Sequence, residues 1–79
     1  MANAGSRDRL LSLMRNPAAD AEQRIAAALA LRAHPEGITR IRVAAEVSAE
    51  PDVREAFQTL TGEEIDEQRM GRVLRRLAR

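Results

Sequence analysis

Between Ser48 and Leu60 the chain reads SAEPDVREAFQTL, a stretch that fits one local structure. Glu50-Pro51-Asp52 places proline behind an acidic residue at the mouth of a helix. Proline suits that place because its φ is already helical and its missing N–H has no partner to lose there. Val53, Ala56, Phe57 and Leu60 then fall at i, i+3, i+4 and i+7, one apolar helical face. Phe57 is the only aromatic residue among 79, so its helix is expected to anchor the core. A weaker copy lies upstream. Asp20-Ala21-Glu22-Gln23-Arg24 runs into IAAALAL, aligning Asp20 with Glu50 and Arg24 with Arg54. The repetition predicts an array of helical hairpins.

The rest of the chain divides at its turn residues. Residues 1–5 are expected to be disordered. Ser6 is a candidate N-cap for a first helix over 7–15, carrying Leu10, Leu11, Leu13 and Met14 and closed by Asn16-Pro17. Asp20, with Gln23 three residues on, opens a second helix expected to reach His34, since Pro35-Glu36-Gly37 cannot continue it. A third helix, 38–47, is apolar on two sides: Ile38, Ile41, Ala45 and Ser48 line one, Val43 and Val47 the other. That pattern predicts a layer between two neighbours. The fourth helix ends at Thr61-Gly62. For the fifth, Asp66 is the better N-cap. It makes Ile65 and Met70 a hydrophobic staple and aligns Met70, Val73, Leu74 and Leu77. The expectation is an all-α fold of five short antiparallel-neighbour helices: hairpin 6–34, hairpin 38–60 and a closing helix 66–79.

Composition narrows the task. Much of the 44% hydrophobic content is alanine, which favours helix but buries little area. Without cysteine there is no disulfide framework and no thiol chemistry. No apolar run approaches the ~18 residues of a membrane span, and the polar first ten residues lack the apolar segment of a signal peptide. A cytoplasmic location is expected. All thirteen basic residues are arginine, a bias that fits GC-rich, bacterial-like coding. The net charge is only +1. No catalytic, cofactor-binding or metal-binding set emerges. The single histidine, His34, is placed as a helix C-terminal residue, and the acidic pairs Glu63-Glu64 and Asp66-Glu67 read as a solvated loop. The four glycines make no phosphate-cradling spacing.

Glu50-Pro51-Asp52-Val53-Arg54-Glu55-Ala56 resembles the turn and second helix of a HEAT-type α-helical repeat. Asp20 to Arg24 is similar but lacks the proline and the valine, and Leu10-Leu11-Ser12-Leu13-Met14 looks like the first helix of such a unit. The resemblance covers about two units, residues 7–60, fewer than the three or so that a free-standing array uses. It implies a non-catalytic adaptor or scaffold that binds another protein or itself, a terminal piece of a longer array being one form. It also implies structural roles for Arg24 and Arg54, whose counterparts in the family hydrogen-bond within the layered turns. Val53, Phe57, Leu60, Met70, Val73 and Leu77 are the other expected structural residues.

A nucleic-acid reading stands as the alternative. VAAEVSAEPDVREAF has the rhythm of a helix-turn-helix, but its second helix would carry Asp52 and Glu55 toward phosphates that repel them. The fifth helix presents Arg69, Arg72, Arg76 and Arg79 at i, i+3, i+7 and i+10, a ridge suited to phosphates, an acidic protein or an anionic surface. These four arginines are the candidate partner-binding residues.

Overall fold

A computed structural model describes residues 2–78, with side chains from residue 7 onward. Among the described residues there are five α-helices and no strand: α1 (Ala2–Arg15), α2 (Ala21–Leu31), α3 (Gly37–Val47), α4 (Pro51–Leu60) and α5 (Glu67–Leu77). The class is all-α. Short connections fold α1 back on α2 and α3 back on α4; the two hairpins then meet chiefly through α2 and α4. Helix α5 lies across α4 and touches α2. The molecule is 19 Å thick in its shortest dimension, which is two helix diameters of about 10 Å.

The core lies between these layers. Phe57, Met14, Ile41, Val53 and Val73 are fully buried, with Leu31 and Leu60 almost so. The stripe Val53, Ala56, Phe57, Leu60 is buried throughout, and Ala27, Ala28, Ala44 and Ala45 fill the gaps around it. Small side chains there let helices approach closely. Met70 and Leu77 pack half-buried against this core, as do Leu10, Leu11, Leu13 and Ile65.

Several boundaries depart from expectation. Nothing in residues 2–5 stops a helix, and α1 begins at Ala2; Ser6 lies inside it, without the capping place assigned to it. Helix α2 ends at Leu31, three residues early. The Arg32 N–H is shared between the Ala28 and Leu29 carbonyls at 3.2 and 3.3 Å, and the next two reach back only three residues, Ala33 to Ala30 at 3.3 Å and His34 to Leu31 at 3.0 Å. This tightened end unwinds the chain ahead of Pro35, which disfavours helical geometry in the residue before it. Asp20 stands at the N-cap position of α2 but its side chain makes no capping bond. Asp66 does: its Oδ1 accepts from the Arg69 N–H at 3.1 Å.

The α2–α3 turn holds the tightest backbone. Glu36 adopts φ 63°, the left-handed region, costly for a residue with a Cβ. Gly37 follows with ordinary helical φ, yet a Cβ there would lie 1.7 Å from the Leu31 carbonyl oxygen. The glycine is required by that close approach.

Two apolar expectations fail. Leu74, placed on the inner stripe of α5, is 38% exposed. Val43 and Val47, expected to meet a second neighbour of α3, are 53% and 76% exposed. With only two layers, α3 has a partner on one side, and its second apolar face looks outward.

Candidate interaction surface

The two hairpins carry the same clasp. Arg24, four residues into α2, donates from Nε to the Met14 carbonyl at the end of α1, 2.9 Å away. Arg54, four residues into α4, donates from Nη2 to the carbonyl of Ser48, the residue just past α3, 2.7 Å away. Each bond satisfies a helix-terminal carbonyl with no partner in its own helix. Arg24 is 7% exposed, and its guanidinium stands 5.6 Å from the centre of the Phe57 ring, within cation–π range. A third clasp had no sequence signal. Arg32, just past α2, donates from Nη2 to the Gly62 and Glu63 carbonyls at 2.9 and 3.1 Å. It ties the α4–α5 loop to the first hairpin.

The arginine ridge of α5 is split. Arg69 pairs through Nε with Glu55 Oε2 at 3.2 Å, and Arg76 pairs through Nε with Asp52 Oδ1 at 3.0 Å and through Nη2 with Glu55 Oε1. Both therefore turn toward α4. The Arg69 hydrogen bond, with that of Arg76, holds the Glu55 carboxyl below its ordinary pKa against a smaller opposing effect of desolvation. Asp52, then Glu55, raises the pKa of Arg76. Arg72 is exposed and makes no ion pair among the described residues. Arg79 lies outside the described residues. The signal for the pairing was present in Asp52 and Glu55 at i, i+3 opposite Arg69 and Arg76 at i, i+7, but it needs α4 and α5 to be neighbours before it means anything.

Two surface grooves flank the helices. One, between α3 and α4, is lined by Arg42, Ala45, Glu46, Arg54, Gln58 and Thr61. The other, between α2 and α5, has a volume of about 500 Å³ and an apolar floor that includes Ile25, Leu29 and Leu74. Among the described residues, no three His, Cys, Asp or Glu side chains come together as a metal site would need. No helix there is long and apolar enough to cross a membrane. His34 sits in the α2–α3 turn, beyond the end of α2.

The fold and these surfaces define a class: a five-helix, all-α bundle of two clasped hairpins with a fifth helix laid across them. Comparisons with protein-family models, with curated proteins and with solved structures found no match to this chain.

Proposed function

We propose that this chain is a non-catalytic protein-interaction module, an adaptor or scaffold built from two HEAT-like hairpins. The observation that carries the reading is the exposure of large apolar side chains on three helices: Val43 and Val47 on α3, Leu29 on α2 and Leu74 on α5. Apolar groups held outward on a small scaffold are the usual material of a protein contact. The Arg24 and Arg54 clasps support the HEAT-like part, because an arginine at the fourth position of each second helix that reaches the end of the helix before it is what a structural repeat would carry. The resemblance places both arginines within the layered turns.

Helix α4 suits a groove-reading role poorly. Its apolar face is core, and Asp52 and Glu55 are engaged by α5, which leaves Pro51, Arg54 and Gln58 exposed. The test is to titrate the chain with random duplex and single-stranded DNA at low and physiological salt, and to identify proteins retained by wild type and lost on Val47→Asp. The module reading expects no saturable DNA binding and a retained protein that binds wild type when purified. Saturable DNA binding that weakens steeply with salt would replace it with phosphate binding.

A further inference from the structure

The α2–α5 groove has a combination of features that the other surfaces lack. Its floor is apolar, with Leu29 50% and Leu74 38% exposed. Its rims carry opposite charges, Glu22 on α2 and Arg75 on α5. Both rim residues are exposed, and neither makes an ion pair among the described residues. Beside the floor, the outward side of α2 presents Ala26 and Ala30, with Ala33 exposed just past its end, small enough to let a facing helix approach to the ordinary interaxial distance of about 8–10 Å.

A partner carrying one sign of charge would satisfy one rim and leave the other facing its own sign. A patch with both signs around an apolar centre complements itself. With a two-fold axis running along the groove, the patch meets its own copy and a residue on one rim meets the opposite rim of the other chain. Resting on the protein-interaction reading above, we infer that this groove seats a second copy of the chain. The result is a two-fold dimer in which Leu29 and Leu74 meet their counterparts and Glu22 of each copy faces Arg75 of the other. The ridge arginines Arg69 and Arg76 stay committed to α4 in this arrangement; Arg75, outside the ridge, makes the contact.

The experiment is sedimentation velocity of the full chain over a concentration series, with circular dichroism on the same samples. Wild type is expected to move from one chain to two as concentration rises. Leu74→Glu, at an exposed position, should keep the helicity and weaken the dimer by about tenfold or more. Glu22→Arg and Arg75→Glu should each weaken it, and the double exchange should recover most of the loss. If Leu74→Glu loses helicity, the charge exchange decides alone. A wild-type helical monomer at every concentration would overturn the dimer. So would a dimer indifferent to these substitutions, or a double exchange without recovery. Any of these results would leave the module reading standing, because that reading fails on DNA binding and not on self-association.

Discussion

At the scale of single residues, Phe57 and two glycines show where the molecule has slack and where it has none. Phe57 is fully buried with the Arg24 guanidinium over its ring. Phe57→Ala should cost about 3–5 kcal/mol, enough to unfold a chain of this size, and denaturant titration will show it as loss of the cooperative transition. Gly37 and Gly71 should respond to alanine with opposite signs. At Gly37 a methyl group would collide with the Leu31 carbonyl, so the α2–α3 turn must move and the melting temperature should fall sharply. At Gly71 nothing lies within 4 Å of the added Cβ. Alanine there gains about 1 kcal/mol of helix propensity, which should raise the melting temperature of a domain this small by about 4–8 °C. Sequence alone could not separate these glycines: Gly37 reads as a flexible turn residue, while the left-handed φ belongs to Glu36.

At the scale of the element, α5 is held differently from the others. Only Val73 on it is fully buried, and its link to α4 runs through Glu55, Asp52 and two half-exposed arginines. Exposed ion pairs contribute little individually. The Glu55 pKa is lowered in the folded state, so its contribution is present above the ordinary glutamate pKa and fades as pH falls through the lower folded value. Amides of α5 should therefore lose exchange protection before those of α4 on acidification. Glu55→Gln should flatten that part of the acid dependence while lowering protection of α5 at neutral pH. Acid-insensitive protection of α5 in wild type would contradict this account. The α5 register was legible in advance because Asp66, Ile65 and Met70 are neighbours in sequence. The Glu55–Arg69 pairing was not, since it depends on which helix lies across which.

At the scale of the whole molecule, two layers decide what periodicity could and could not foretell. Val53, Ala56, Phe57 and Leu60 were legible as core because a stripe that strong has only one use. Val43 and Val47 looked equally like core, since a helix apolar on two sides fits between neighbours. Whether a second neighbour exists is a count of layers, and no local pattern contains that count. The same blindness hid the Arg32 clasp, whose acceptors lie a full hairpin away. The aligned positions of Arg24 and Arg54 were visible, although the carbonyls they would reach were not.

The back-to-back hairpins also bear on how fast the molecule assembles. Each pairs segments separated by only a short turn, so little chain entropy is lost before contact is rewarded. Refolding should be complete within microseconds to milliseconds, as for other helical domains rich in local contacts. The step that crosses the greatest length of chain is the arrival of α5 on α4 and α2. Substitutions at Val73 should then accelerate unwinding from the native state more than they slow its recovery, and stopped-flow mixing can read both limbs.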